Sequence, residues 1–166
     1  MFNDIFNDKM MVDFQNKLKL NGETITVAES CTGGLISSMI TKISGSSSIF
    51  RGSVITYCND IKEQELNVKK HTMIQYGAVS KQTVKEMCEG VLRKFDSSYA
   101  IAISGVAGPT GGTIDKPVGT VVIGVMSKKG DENIQIYKFD GNREEVQIQA
   151  AKTALKINFE ILFKNY

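Results

Sequence analysis

The sequence has little of what metal binding and disulfide formation need. Its 166 residues include a single histidine, His71, and three cysteines, Cys31, Cys58 and Cys88. An odd number of cysteines without the paired spacing of zinc ligands indicates neither a disulfide framework nor a metal site. We therefore expect reduced thiols, a cytoplasmic location, no metal and no cofactor.

The sequence also lacks a strong net charge and a long apolar run. Its 20 basic and 18 acidic residues leave a formal net charge of +2, and the densest basic run covers only residues 69–71. Because nucleic-acid-binding proteins usually concentrate lysine and arginine on one face, we expect no nucleic-acid partner. No run approaches the roughly 20 apolar residues of a membrane-spanning helix. The first four residues also lack the pattern of a secretory signal, so we expect no membrane partner.

The remaining composition is that of one globular domain. Hydrophobic residues make up 42% and charged residues 23% of the chain, which is ordinary for a protein with a buried core. No linker, low-complexity tract or break in composition divides it. We therefore predict one domain over residues 1–166, with residues 1–9 as a loosely ordered N-terminal extension.

Hydrophobic periodicity predicts helices that alternate with strands. Asn59 is expected to cap a short helix, Ser80 to open a long one, and Asn142 with Glu145 to form a capping box. Interleaved strands and helices predict an α/β layered sandwich, although the order of the strands cannot be read. The predicted helices cover residues 10–20, about 35–43, 80–95 and 143 onward, and the predicted strands cover residues 24–28, 53–57, 99–103, 120–126 and about 134–139.

The first segment that suggests chemistry joins the first strand to the following helix. Ser30 lies just before Thr32, Gly33 and Gly34. Exposed amides at the start of a helix favour a phosphate or an oxyanion, and glycines allow a ligand to approach the backbone closely. Ser30 is thus a candidate nucleophile beside oxyanion-binding amides. The alternative is that Ser30 or Thr32 merely caps the helix.

This segment matches neither the Walker loop nor the nucleophile elbow of α/β-hydrolases. A Ser–His–Asp triad would need His71, which lies in a polar stretch typical of a surface. Lysine is the known substitute for a histidine base, and Lys62 follows Tyr57 by five residues. Lys62 would need a lowered pKa, and it could instead be an ordinary surface lysine. Cys31 is a weaker candidate nucleophile than Ser30.

A second glycine-rich segment covers residues 104–120. Five of the 15 glycines and both prolines lie in it. It follows a strand end, where open α/β sheets bind their ligands, so we favour a binding loop over a passive surface loop. Lys116 adds a cation for a phosphate, and Arg143 is a further candidate anion contact.

Taken together, five ordered segments resemble the C-terminal domain of the CinA (competence/damage-inducible protein A) family. They cover residues 27–34, 56–62, 77–80, 104–120 and 139–143, and the resemblance extends from about residue 10 to the end. The resemblance implies a three-layer α/β/α sandwich with a mostly parallel or mixed sheet. It also implies homo-oligomers and hydrolysis of nicotinamide mononucleotide (NMN) to nicotinate mononucleotide and ammonia, in the recycling of pyridine nucleotides.

The resemblance further implies roles for individual residues. Ser30 would be the nucleophile, with Tyr57 and Lys62 as its base and proton relay. Amides near residues 32–34 would hold the oxyanion, and the second glycine-rich segment would bind ribose and phosphate. The substrate-binding residues expected on this basis are Thr32, Gly33, Gly34, Asn59, Ser104, Gly105, Gly108, Pro109, Gly111, Gly112, Lys116 and Arg143.

Two alternatives remain beside the amidohydrolase. One is a non-catalytic nucleotide-binding or regulatory module, which would keep both glycine-rich loops but would not need Ser30 or Lys62. The other is a protein-interaction factor in competence or DNA damage, suggested by the family name alone. Many family members carry an additional N-terminal domain, and we expect this chain to be the stand-alone form.

Overall fold

A five-stranded sheet separates two layers of helices in the computed structural model, which describes residues 1–164. None of the helices within these residues has the length and apolar character needed to cross a bilayer. The elements, in chain order, are α1 (Asp8–Asn21), β1 (Ile25–Glu29), α2 (Leu35–Thr41), β2 (Phe50–Ile55), α3 (Asn59–Leu66), α4 (Lys70–Tyr76), α5 (Lys81–Phe95), β3 (Tyr99–Gly105), β4 (Thr120–Ser127), β5 (Glu132–Lys138) and α6 (Arg143–Lys164), with a short 3-10 turn at Ser46–Ser48.

The order of the strands creates a crevice at one edge of the sheet. The order is β2-β1-β3-β4-β5. The first three strands are parallel, whereas β4 and β5 run antiparallel to their neighbours. The chain passes from β1 to β2 on one side and then to β3 on the other, so the carboxyl ends of β1 and β3 flank a topological switch point. The prediction of an α/β sandwich with a mixed sheet is confirmed.

Each face of the sheet has its own hydrophobic core. In β3, Ile101 and Ile103 face the layer of α1, α2 and α6, whereas Ala100 and Ala102 face α5. Small residues on the second face let α5 pack closely. A Cβ added at Gly124, on that same face, would lie only 2.8 Å from Val84 Cγ1.

Two details near the site differ from the sequence-based prediction. The second strand ends at Ile55 and not at Tyr57, so that Thr56 and Tyr57 follow the strand. Asn59 is the first residue of α3 and not its cap, a position held by Cys58 without a side-chain hydrogen bond. The first error arises because β-branched and aromatic residues continue past the point where pairing with β1 stops.

The sequence predicted a loosely ordered N-terminal extension over residues 1–9, whereas in the structure α1 begins at Asp8 and the preceding residues contact α6. Phe6 is only 3% exposed and packs edge-on against Phe159, with ring centroids 6.1 Å apart. The Lys152 ammonium donates a hydrogen bond of 2.8 Å to the carbonyl oxygen of Met1. Burial of an aromatic side chain thus attaches this segment to α6.

Two of the three predicted side-chain caps are confirmed. The Ser80 hydroxyl accepts from the Thr83 amide at the start of α5. Before α6, the Asn142 amide donates to Glu145 Oε2 over 2.8 Å, and the Glu145 amide donates to Asn142 Oδ1 over 3.0 Å. This reciprocal pair is a capping box, and it fixes the chain beside Arg143.

Candidate active site

A small pocket lies at the carboxyl ends of β1 and β3. Its volume is 240 Å³, and its walls include Ser30 after β1, Tyr57 after β2, residues 105–108, 110 and 111 at and after the end of β3, and Arg143 at the start of α6. Strands that are far apart in the sequence therefore deliver the candidate nucleophile and the second glycine-rich loop to one place, as expected for a topological switch point.

Ser30 and Lys62 form a buried pair beside this pocket. Ser30 is 8% exposed and Lys62 is 1% exposed. Lys62 Nζ lies 3.3 Å from Ser30 Oγ and donates to the Thr56 carbonyl oxygen over 2.7 Å. Burial lowers the pKa of Lys62, because the charged ammonium loses hydration there. Lys62 therefore loses its proton at a lower pH than an exposed lysine, and its neutral amine can then take a proton from a serine.

Tyr57 lies elsewhere in the pocket and has a different partner. Its side chain is 58% exposed. Arg143 Nη2 donates to the Tyr57 hydroxyl over 2.8 Å, and Arg143 Nη1 donates to the Gly108 carbonyl oxygen over 2.8 Å. Among residues 1–164, no hydrogen bond joins Tyr57 to Ser30 or Lys62. Arg143 thus ties the loop after β2 to the loop after β3.

Glu29 is a buried residue of this region that the sequence analysis missed. Its side chain is fully buried. Oε2 accepts from Thr32 Oγ1 (2.6 Å) and from the amides of Gly34 and Ile36 (both 3.1 Å). Oε1 accepts from the amide and the hydroxyl of Ser37 (2.9 and 2.7 Å). An acidic residue at the end of an apolar strand, just before a helix, is the sequence signal that could have revealed it.

This carboxylate accepts the hydrogen bonds that a helix cap would accept at the start of α2. Glu29, and not Ser30 or Thr32, caps α2. The Gly34 amide is occupied by Glu29, and the Gly33 amide donates to the Ser30 carbonyl oxygen over 3.0 Å. These two glycine amides would have to give up their present partners to bind an oxyanion. No hydrogen bond within residues 1–164 uses the amide of Thr32.

The second glycine-rich loop needs glycine at two positions. A Cβ on Gly105 would lie 2.8 Å from the Thr120 carbonyl oxygen. Gly108 has a φ of +89°, and a Cβ there would lie 2.4 Å from Val118 Cγ1. Within the described part of the chain, the amides of residues 107, 108 and 110–112 have no hydrogen-bond partner. The loop therefore carries several backbone amides without a partner, a feature of anion-binding loops.

A second, larger crevice adjoins the pocket. Its volume is 670 Å³, and it shares Ala107 and Arg143 with the pocket. Pro109, which follows a cis peptide bond from Gly108, lines this crevice together with the start of α6. Arg143 therefore lies between the two spaces.

Several residues predicted to bind the substrate line neither space. Lys116 Nζ donates to the Tyr76 carbonyl oxygen over 2.7 Å, which directs it toward the end of α4. Asn59 is exposed at the start of α3, and Ser104 is buried in β3 opposite Val122. Gly112 packs against the backbone of Val118. The phosphate contact expected of Lys116 thus has no support in this geometry.

The cysteine alternative is disfavoured by burial. Burial raises the pKa of Cys31 to about 12, so its thiol stays protonated near neutral pH. Its carbonyl oxygen accepts from Gln147 Nε2 over 2.8 Å, which connects the loop after β1 to α6. Residues 1–164 contain no group of three or more histidine, cysteine, aspartate or glutamate side chains placed to hold a metal ion.

Comparisons with known proteins agree on one family. The model of the CinA C-terminal domain matches residues 7–162. A "CinA-like protein" of Endomicrobium trichonymphae is 46% identical over 153 residues, which are 92% of this chain but only 36% of that protein. The "nicotinamide-nucleotide amidohydrolase PncC" of Enterobacter agglomerans is 44% identical over 157 residues, 95% of this chain and 96% of that one. The crystal structure of a competence/damage-inducible protein from Agrobacterium tumefaciens superposes with a TM-score of 0.89 at 34% identity, covering 92% of this chain and 93% of that one.

Proposed function

This chain belongs to the CinA C-terminal domain family, and from that premise we propose that it hydrolyses the carboxamide of NMN. The products are nicotinate mononucleotide and ammonia, and the reaction serves the recycling of pyridine nucleotides. The observation that carries the proposal is the buried Ser30–Lys62 pair, with 3.3 Å between Oγ and Nζ, beside the pocket at the carboxyl ends of β1 and β3. The name of the Enterobacter relative, similar over nearly its whole length, supports the substrate.

In the first half-reaction, neutral Lys62 takes the proton of Ser30 while Oγ attacks the carboxamide carbon. The carbonyl oxygen becomes an oxyanion, for which we assign the Thr32 amide that the fold leaves unpaired. Lys62 then returns its proton to the amide nitrogen as the carbon–nitrogen bond breaks. Ammonia leaves, and the nicotinate acyl group remains esterified to Ser30.

In the second half-reaction, Lys62 takes a proton from water while the water oxygen attacks the acyl carbon. The ester bond to Oγ breaks, Ser30 regains a proton from Lys62, and the acid is released. The Thr56 carbonyl oxygen accepts from Nζ over 2.7 Å. That bond keeps the amine aimed at Ser30 in both steps.

The two adjoining spaces suggest how the mononucleotide is divided. Ligand pockets usually measure about 300–1,000 Å³, and the 240 Å³ pocket beside Ser30 is smaller than this. We assign the pyridine ring to that pocket and the ribose phosphate to the adjoining 670 Å³ crevice. Arg143 lies between them, and its guanidinium with the bare amides of the second glycine-rich loop suits a phosphate.

The test is ammonia release from NMN by the purified protein, with and without EDTA. We expect release that the chelator does not affect. A non-catalytic nucleotide-binding module would instead be stabilised against heat by NMN without releasing ammonia, and that outcome would reject the proposed reaction.

A further inference from the structure

We propose that Glu29 is a positioning residue that fixes both members of the Ser30–Lys62 pair. The inference rests on the proposed function, since it takes Ser30 as the nucleophile and Lys62 as its base. It adds a residue that lines neither the pocket nor the crevice and touches no substrate.

The side chain of Glu29 holds the turn that carries Ser30. Five donors surround the carboxylate, and all of them come from residues 32–37, that is, from this turn and the first turn of α2. A carboxylate offers about four lone-pair sites and no donor, so this acceptor is saturated. Bonds from donors to a charged acceptor are also roughly twice as strong as neutral ones. The Glu29 carboxylate therefore fixes the turn after Ser30 to the first turn of α2.

The backbone of Glu29 holds Lys62. The Thr56 amide donates to the Glu29 carbonyl oxygen over 2.7 Å, and the Thr56 carbonyl oxygen accepts from Lys62 Nζ over 2.7 Å. Two hydrogen bonds thus connect Glu29 to the base, while the peptide bond connects it to Ser30. One residue sets the nucleophile and the base relative to each other.

The chemistry of the donors requires a carboxylate. Each carboxylate oxygen accepts from at least one backbone amide of residues 34–37, so in either orientation the NH₂ group of a glutamine would leave one of these amides without a partner. An aspartate is one methylene shorter and would not reach Ser37. Either change frees the turn, and a shift of about 1 Å at a reacting atom can cost about 100-fold in rate.

The experiment compares Glu29→Gln with Glu23→Gln. Glu23 is also a buried carboxylate, bonded to Lys129 Nζ over 2.6 Å, but it lies at the opposite end of β1. The first readout is the rate at which a fluorophosphonate labels Ser30, measured by intact mass. In that reaction Oγ bonds to phosphorus, fluoride leaves and Lys62 accepts the proton. The second readout is kcat and KM for ammonia release from NMN.

For Glu29→Gln we expect labelling and kcat to fall about tenfold or more, with KM changed less than about threefold, because ground-state contacts to the substrate persist. Glu23→Gln should label at the wild-type rate even where its melting temperature falls. Wild-type labelling of the folded Glu29→Gln protein would overturn the proposal and leave Glu29 as a helix cap only.

Two further measurements cover the cases in which Glu29→Gln does not fold or the wild-type protein does not release ammonia from NMN. If Glu29→Gln does not fold, Ser37→Ala removes one donor to Oε1 and should slow labelling about two- to fivefold; an unchanged rate would overturn the proposal. If the wild-type protein releases no ammonia but labels at Ser30 with the same dependence on Glu29, the substrate is wrong and the role of Glu29 stands. An unreactive wild-type Ser30 would reject both.

Discussion

Lys62 Nζ lies 3.3 Å from Ser30 Oγ, and both side chains are almost completely buried. A lysine in such a place is costly unless it serves as a neutral amine, because burial disfavours the ammonium. Lys62 Nζ also donates to the Thr56 carbonyl oxygen, and the turn after Ser30 donates to the Glu29 carboxylate, so that both groups are held in place.

Replacing Ser30 with alanine should reduce ammonia release from NMN by a factor of about 1,000 or more, because no acyl-enzyme can form. The fold should be retained, since Ser30 contributes only its hydroxyl to the buried region. The matched control is Ser38→Ala, an exposed serine of α2, which should keep wild-type kcat. Substantial turnover by Ser30→Ala would contradict the covalent mechanism.

The rate of ammonia release should rise with pH as Lys62 loses its proton. Burial lowers the pKa of Lys62, and the base has to be neutral, so the rise should be centred below the pKa of an exposed lysine. A profile of kcat/KM against pH reports this ionisation in the free enzyme. Lys62→Arg should be inactive at every pH, because a guanidinium does not deprotonate. Recovery of that variant at high pH would argue against Lys62 as the base.

Lys62→Met should abolish activity and yet raise the melting temperature at pH 7. The pKa of Lys62 is lower in the folded state than in the unfolded chain, so folding works against its protonation. This destabilises the fold most at a pH below the folded-state pKa. The cost disappears as the pH rises above the pKa of the unfolded chain. Relief of the cost should outweigh the lost bond to Thr56 and raise Tm by about 2–4 °C. Calorimetry at pH 7 and at pH 11 measures the melting temperatures of both proteins. A higher melting temperature of the variant that persists at pH 11 would contradict desolvation of the ammonium as the cause.

Tyr57→Phe should raise KM about three- to tenfold and leave kcat within about threefold. The Tyr57 hydroxyl accepts from Arg143 and has no bond to Ser30 or Lys62 among the described residues, so we expect it to orient the substrate-binding arginine. Arg143→Ala should show the same pattern more strongly, with Arg93→Ala, an exposed arginine of α5, as its control. A loss of kcat in Tyr57→Phe as large as that in Ser30→Ala would restore Tyr57 as a proton relay.

Gly108→Ala should reduce kcat/KM about tenfold more than Gly111→Ala does. Both glycines have positive φ angles, +89° and +88°, so alanine is strained at either position. They differ in space, because a Cβ meets Val118 Cγ1 at 2.4 Å at position 108 but lies 3.7 Å from Val106 Cγ1 at position 111. Steady-state kinetics with NMN separates the steric clash with Val118 from the backbone strain of a positive φ. Equal losses of kcat/KM in the two variants would show that backbone strain alone is responsible.

The sequence predicted the parts of the site that depend on local pattern. Ser30 before two glycines, the second glycine-rich loop, and Lys62 within reach of a strand end are each readable from spacing, and the structure brings Ser30, Lys62 and that loop together. The layered α/β fold follows from the alternation of strands and helices for the same reason.

The features that the sequence did not reveal depend on contacts made in three dimensions. Glu29 is the last residue of β1, and its sequence position does not show that its side chain accepts hydrogen bonds from the start of α2. Tyr57 and Arg143 are 86 positions apart, and only the order of the strands brings them together. The burial of Phe6 was not predicted, because its partner Phe159 lies near the other end of the chain.

The packing of α6 has a consequence for the way the protein emerges from the ribosome. This last described helix contacts both α1 and α2 and supplies Val146, Ala150 and Leu155 to their core. The helices made first therefore keep an apolar face exposed until nearly the whole chain has been translated. We expect ribosome-bound chains that stop before residue 143 to recruit chaperones and to remain sensitive to proteases, even though they already contain Ser30, Lys62 and the entire sheet.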